Sequence, residues 1–195
     1  MYSKSALKAF TRAEQFVSKH QDAKAIKEYK KAIKLDDSFY EAFNNLGNAF
    51  FRMERFKEAV IAFHKAIEIN PKLISTQSNL GNALTEIGDY EGALKSYKKA
   101  IDLNPKIASS YYERAVSLYK QESFLSSLED INNAIKLDPK NINFMVLKTE
   151  LLFNLERKSE ALKISESFIS TNPNSSSIFH HANLLSKVND LNSAN

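Results

Sequence analysis

The sequence predicts an all-α fold, a solenoid of stacked helix pairs, and three observations carry that prediction. First, Asn45-Leu46-Gly47-Asn48-Ala49 returns thirty-four residues later as Asn79-Leu80-Gly81-Asn82-Ala83. Second, matching closes follow at 65–71 and 99–105, with related ones at 31–37 and 133–139. A fixed period of this size marks repeats that cannot bury an apolar face alone and must stack. Third, the 195 residues hold only four glycines and four prolines, too few for a loop-rich β fold. Helices are favoured.

The elements follow in order. Residues 6–39 form a first pair: Leu7, Phe10, Ala13, Phe16 and Val17 recur at helical spacing, then Ala25, Ile26, Tyr29, Ala32 and Ile33. His20-Gln21-Asp22 breaks the pattern, with Asp22 expected to cap the second helix. Residues 40–73 repeat this as helices over 40–53 and 56–69, and Pro71 ends the unit because proline cannot continue a helix. Residues 74–107 turn at Gly88-Asp89, a helix-ending glycine and a cap. Residues 108–141 turn near Glu122-Ser123, and 142–175 near Arg157-Lys158, ending at Pro173. Asn174-Ser175-Ser176-Ser177 suits a loop and cap. A capping helix then spans about 176–188, with Ile178, Phe179, Ala182, Leu185 and Val188 facing the stack and His180, His181, Asn183, Ser186 and Lys187 facing water. The last residues, 189–195, are expected to fray.

Composition bounds the rest. With 43% hydrophobic and 26% charged residues the chain is a folded domain, read as a single one over 1–195. The absence of cysteine excludes disulfides, thiol nucleophiles and thiolate metal sites, and it fits a reducing, cytoplasmic setting. No signal-type run opens the chain, and no apolar stretch near the ~18 residues of a membrane span occurs, so no membrane role is expected. A net charge of +4 permits nucleic-acid contact without requiring it.

The periodic residues resemble the tetratricopeptide repeat family over nearly the whole chain. The second unit supplies Phe43, Leu46, Gly47, Phe50, Ala59, Phe63, Ala66 and Pro71. The third supplies Leu80, Gly81, Leu84, Ala93, Tyr97, Ala100 and Pro105, with Gln77 where a bulky residue is usual. The fourth has Tyr111, Arg114, Ala115, Leu118, Ser127, Ile131, Ala134 and Pro139. The first fits through Arg12, Ala13, Phe16, Ala25, Tyr29 and Ala32, with Asp37 in place of proline. In the fifth, Thr149, Ser165 and Phe168 depart from the small, aromatic, small pattern, and Phe168 is expected to fill the room Ser165 leaves. The resemblance implies a right-handed superhelix of five 34-residue repeats plus a C-terminal capping helix, and a non-enzymatic scaffold or adaptor. Physics accounts for the small residues separately: helices packed at about 8–10 Å need them where they cross, at Gly47, Ala59, Gly81, Ala93 and Ala100.

By the same resemblance, the first helices line a concave groove that binds an extended peptide. The groove positions are Glu41, Asn44, Asn45, Asn48 and Arg52, then Ser78, Asn79, Asn82, Thr85 and Glu86. Next come Tyr112, Glu113, Val116, Tyr119 and Lys120, then Val146, Leu147, Glu150 and Phe153. Carboxamides donate and accept, so an asparagine ladder suits a peptide backbone of any sequence. It is similar to the ladder of the O-linked N-acetylglucosamine transferases, in the groove alone. Tyr119 and Phe153 suit inter-helix packing equally well. Glu41, Glu86, Glu113 and Glu150 outnumber Arg52 and Lys120, so the expected ligand is neutral or basic, with the positive charge scattered over the convex helices. The resemblance also implies a test: family members that bind acidic C-terminal tails of chaperones use a clamp of lysine, asparagine and arginine over three consecutive first helices. Here the lysine position holds Phe10, Asn44 or Ser78 and the arginine position Asn79, Glu113 or Leu147, so acidic tails are not expected to bind.

No phosphate loop, nucleophile triad or paired carboxylates are recognisable, and no cofactor is expected. His180 and His181 are adjacent, about 100° apart on a helix, and make a poor chelating pair. His64 has no suitably spaced companion ligand. Besides peptide binding, two alternatives stand. One is self-association through the ends of the stack, especially Leu7 and Phe10 of the first unit. The other, disfavoured by the scattered charge, is an RNA-binding helical repeat.

Overall fold

The computed structural model describes residues 2–193, with side-chain surroundings through Lys187. The described residues contain eleven α-helices and no strand: α1 (Lys4–Val17), α2 (Asp22–Leu35), α3 (Tyr40–Arg52), α4 (Phe56–Ile69), α5 (Ile74–Glu86), α6 (Tyr90–Leu103), α7 (Ala108–Lys120), α8 (Phe124–Leu137), α9 (Ile142–Asn154), α10 (Lys158–Thr171) and α11 (Ser175–Ser193). They fall into two compact units, residues 1–105 with three helix pairs and residues 106–195 with two pairs and α11. Within the first unit, α3 packs on both α2 and α4, and α5 on both α4 and α6. In the second, α9 packs on α8 and α10, and α11 on α10.

The turn inside each pair is set by one backbone device. His20, Glu54, Gly88, Glu122 and Glu156 all adopt positive φ, between 54° and 81°, and they recur every thirty-four residues. The amide after each of them donates to the carbonyl five residues before it: Gln21 N to Phe16 O, Arg55 N to Phe50 O, Asp89 N to Leu84 O, Ser123 N to Leu118 O and Arg157 N to Leu152 O, at 2.8–2.9 Å. This left-handed close uses the carbonyls a helix end would otherwise leave unpaired. Asp89 caps α6 through Gly92 N at 3.0 Å. Asn174 and Ser177 cap α11 reciprocally, Ser177 N to Asn174 Oδ1 at 2.9 Å and Asn174 N to Ser177 Oγ at 3.1 Å.

The crossings lie where the small residues predict them. Ala59, Ala93 and Ala100 are fully buried, and a methyl group on Gly47 or Gly81 would come within 2.5 Å of the Phe63 or Tyr97 ring. The first unit's core joins Ala13, Tyr29, Leu46, Phe50, Phe63, Leu80 and Tyr97. The second unit's core joins Ala115, Ile131, Phe144, Leu151 and Leu152, and reaches Leu184 of α11. Phe168 is buried as expected, but Ser165 beside it faces His181, whose Nδ1 lies 3.1 Å from Ser165 Oγ.

Several sequence expectations are corrected. Leu7 is 42% exposed, because α1 packs through the alanines Ala6, Ala9 and Ala13. Phe10 is no open end: it stacks on Phe39 at 4.8 Å and lies against Tyr29 at 5.7 Å. Asp22 does not cap α2; it is the first helical residue, and its carboxylate accepts from Arg52. The largest change concerns α11, which turns the other way. Ser177 and Leu184 are buried and His180 and His181 half-buried, while Ile178, Phe179, Ala182 and Leu185 face outward. Hydropathy favours the opposite choice, but Thr149 and Ser165 offer hydroxyls that only the histidine face can meet. The helix continues to Ser193, past the expected end at 188. The Val188 side chain and residues 194 and 195 lie outside the described residues.

Candidate functional site

In the first unit, α1, α3 and α5 present their polar sides together. Asn45 Nδ2 donates to Glu14 Oε1 at 3.0 Å, and Asn45 Oδ1 accepts from Asn44 Nδ2 at 2.8 Å. Asn44 Oδ1 in turn accepts from Thr76 Oγ1 at 2.8 Å. Both ends of Asn44 and Asn45 are therefore committed to binding one first helix to the next. Tyr29 also donates to Glu14, and burial, then this bond, raises its phenol well above the ordinary value. The other asparagines differ. Asn79 Nδ2 donates to Asn48 Oδ1 at 2.9 Å, and Tyr97 OH donates to Asn82 Oδ1 at 2.7 Å. Asn48 Nδ2, Asn79 Oδ1 and Asn82 Nδ2 have no partner among the described residues. Donor, acceptor and donor thus remain on three half-buried side chains, a set that matches the groups of an extended backbone.

The charge on this face is acidic. Arg52, its one expected cation, gives Nε to Asp22 Oδ1 at 3.0 Å, a bond that raises its pKa further and offsets its charge locally. Glu14 and Glu41 meet neutral partners, Glu41 accepting from Tyr2 OH at 2.6 Å. Glu86 is exposed. The net basic excess falls in the first thirty-nine residues, although eighteen of the 27 Lys and Arg lie beyond them. Residues 1–39 carry nine Lys and Arg against five Asp and Glu, which equals the +4 of the whole chain.

In the second unit, α7 and α9 present aromatic and apolar groups. Tyr112 lies 5.0 Å from the Phe144 ring, and burial first, then Glu150 and Glu113, raises its phenol pKa. Tyr119 packs against Phe124 at 5.6 Å, and its hydroxyl accepts from Asn154 Nδ2 at 3.3 Å. Val116 and Phe153 are half-buried on the same core, Lys158 Nζ lying 5.7 Å over Phe153. Glu113, Val146 and Glu150 are half-buried and Lys120 is exposed. Three expected groove residues are interior instead: Ser78 is 7%, Thr85 6% and Leu147 7% exposed. Thr85 spends its hydroxyl on Gly81 O at 2.9 Å.

Sequence reasoning missed Glu14, Tyr2 and Asp22, which anchor the first-unit face. A signal existed, since polar pairs between successive first helices recur at a separation of 31 residues, Glu14–Asn45, Asn48–Asn79 and Thr149–His180. No group of three or more His, Cys, Asp or Glu suited to a metal occurs among the described residues. Nor is any described helix long and apolar enough to cross a membrane.

The family model described as TPR repeat matches residues 13–54 and 81–122, and that described as tetratricopeptide repeat matches 40–73. No curated protein matches the sequence significantly. Among solved structures, a tetratricopeptide repeat protein from Parabacteroides merdae is 22% identical, with a TM-score of 0.81 over 93% of this chain and 73% of its own. MamA from Desulfovibrio magneticus RS-1, residues 41 to the end, is 19% identical, with a TM-score of 0.77 over 87% of this chain and 94% of its own. YrrB, described as a TPR protein with an unusual peptide-binding site, is 21% identical, with a TM-score of 0.72 over 91% of this chain and 92% of its own. At these identities the likeness is one of fold.

Proposed function

The chain belongs to the tetratricopeptide repeat family, whose members mediate protein–protein interaction, and on that premise we propose that it is a non-enzymatic adaptor holding an extended, basic segment of a partner protein on the first-helix face of residues 1–105. The carrying observation is the split among the asparagines. Asn44 and Asn45 hold the scaffold, whereas Asn48, Asn79 and Asn82 keep Nδ2, Oδ1 and Nδ2 unclaimed among the described residues. A strand-like backbone offers carbonyl, amide and carbonyl to such a set, and side chains add selectivity through the rim. Glu14 and Glu41, which meet neutral partners, with Arg52 already paired, favour lysine or arginine in that segment. Taken by itself, the second unit offers the half-buried Tyr112, Val116 and Tyr119, which suit an apolar side chain. A cytoplasmic, reducing setting agrees with the absence of cysteine.

The test is selection of random peptides on the full chain, followed by calorimetry of the best binder. Enriched sequences should be basic, and Asn48→Ala with Asn82→Ala should weaken binding by about 1–3 kcal/mol while leaving the helical melt in place. Enrichment of acidic peptides, or affinity indifferent to the double change, would count against the proposal.

A further inference from the structure

α11 stands one residue out of step with the first helices before it. In α3, α5, α7 and α9 the third and tenth repeat positions are all buried: Ala42, Thr76, Ser110 and Phe144, then Ala49, Ala83, Ser117 and Leu151. Their counterparts thirty-four residues after the last, Ile178 and Leu185, are 53% and 38% exposed. The preceding residues, Ser177 and Leu184, are buried in their place. A slip of one residue turns a helix by about 100°, which carries the apolar stripe from the stack out to solvent. The rotation is fixed by polar contacts that the apolar face could not make. His180 Nε2 meets Thr149 Oγ1 at 2.7 Å on α9, and His181 Nδ1 meets Ser165 Oγ at 3.1 Å on α10. Ile178, Phe179, Ala182 and Leu185 are left as a continuous outer stripe, with Phe179 68% exposed.

We propose that this stripe is a self-association surface, covered by the α11 of a second copy lying antiparallel across it. Three of its four members are symmetric about the smallest, with Ile178 at the margin opposite Ser186 of the other copy. Ala182 stands three residues from both Phe179 and Leu185, so a two-fold axis at Ala182 sets Phe179 of each copy against Leu185 of the other. The small central residue lets the helices cross closely, as Gly47 and Gly81 do inside the stack. A head-to-tail contact onto α1 is unfavourable, because the outer side of α1 carries Lys4, Lys8 and Arg12 one turn apart, all exposed. A lipid surface is a poor occupant as well, since Lys187 is the only described cation on α11. The stripe offers on the order of 300–400 Å² per copy, well short of the ~800 Å² of a standard stable interface, so the dimer is weak and concentration-dependent.

The chain has no cysteine, so a single introduced one reports the geometry directly. Ala182→Cys should form an intermolecular disulfide under mild oxidation at least ten times faster than Leu7→Cys, an exposed control on α1. Sedimentation equilibrium of the unaltered chain from about 5 to 500 µM should show mass rising toward the dimer, the regime of a small interface. Phe179→Glu and Leu185→Glu should abolish that rise with the circular dichroism spectrum unchanged. The proposal is overturned by a monomer throughout that range, by Ala182→Cys coupling no faster than the control, or by anionic vesicles binding the chain through Phe179 without dimerisation.

Discussion

Gly47 and Phe63 share one space: a methyl group on the glycine would lie 2.5 Å from Cε1 of the ring, and Phe63 is fully buried. The same two repeat positions hold Ala13 with Tyr29, Gly81 with Tyr97, Ala115 with Ile131 and Thr149 with Ser165, all 2% exposed or less where a value applies to a side chain other than glycine. Between Gly47–Phe63, Gly81–Tyr97 and Ala115–Ile131 one member grows as the other shrinks, whereas Ala13–Tyr29 carries an extra methyl and Thr149–Ser165 has no large member, His181 lying beside Ser165 instead. Gly47→Ala alone should therefore cost about 1–3 kcal/mol by overpacking. Adding Phe63→Ile reproduces the Ala115–Ile131 combination and should recover much of that loss. A double-mutant cycle in urea checks it, and additive effects would show that the two side chains do not share the space.

The repeats were legible because period and residue size are both properties of the chain itself. Gly47, Ala59, Gly81 and Ala93 mark the crossings whatever their neighbours do. The orientation of α11 was not legible, because two stripes at helical spacing compete on it and the winner depends on Thr149 and Ser165, about 31 and 16 residues away. Leu7 fails for the same kind of reason: the alanine face of α1 fits closer to α2 than a leucine face could. At the candidate site, residue type located the asparagines, but only the partners Glu14, Thr76 and Tyr97 separate those that brace the scaffold from those with groups to spare.

The five left-handed turns yield a second prediction. Gly88 has φ of 81° and open space around the position of an added Cβ, so Gly88→Ala tests backbone strain without packing. A non-glycine residue in this region costs about 1–2 kcal/mol, partly offset by lower entropy of the unfolded chain. A net loss of about 1 kcal/mol is expected in thermal or urea unfolding. Glu122→Gly should be close to neutral, because relief of strain at φ 59° offsets the entropy gained by the unfolded chain. Equal losses in both variants would contradict this account.

Arg114 and Asp130 form the most enclosed ion pair among those described, Nε to Oδ2 at 2.6 Å and Nη2 to Oδ1 at 2.7 Å, with the Asp130 side chain 5% exposed. Two parallel bonds hold the carboxylate, and α7 is thereby tied to α8. Asp130→Ala leaves a half-buried guanidinium without its acceptor and should cost about 3–5 kcal/mol. Replacing both residues with apolar ones of similar volume should cost far less. Urea denaturation of the three variants distinguishes the loss of a partner from the loss of the pair.

His180 gives the stability of α11 a pH dependence. Burial lowers its pKa below the ordinary 6.5; Glu150 opposes the shift, while Lys187 and His181 reinforce it. Because the folded value is the lower one, the unfolded segment takes up the proton first as pH falls. Stability is thus intact above about 6.5 and declines as pH drops from there through the depressed folded value. Hydrogen exchange over residues 175–187 should speed up across that window, and His180→Gln should flatten the response. An acceleration on raising the pH instead would reverse the sign and refute the assignment.

The last prediction concerns acidic C-terminal tails, which need cations on the first helices. The expected cation of the first-unit face, Arg52, is engaged by Asp22, while Glu14 and Glu41 add negative charge. At the clamp positions stand Phe10, Asn44 or Ser78 and Asn79, Glu113 or Leu147; Phe10 stacks on Phe39, Ser78 and Leu147 are buried, and Asn44 is spent on Asn45 and Thr76. A terminal carboxylate brought there loses its hydration and gains no compensating charge. An acidic tail peptide should show no saturable binding in calorimetry up to about 1 mM, a limit corresponding to less than about 4 kcal/mol of association energy. Asp22→Asn frees Arg52 and should make the face measurably less repellent to such a peptide without creating a clamp. Micromolar binding of the tail to the unaltered chain would show that the charge of this face does not govern what it accepts.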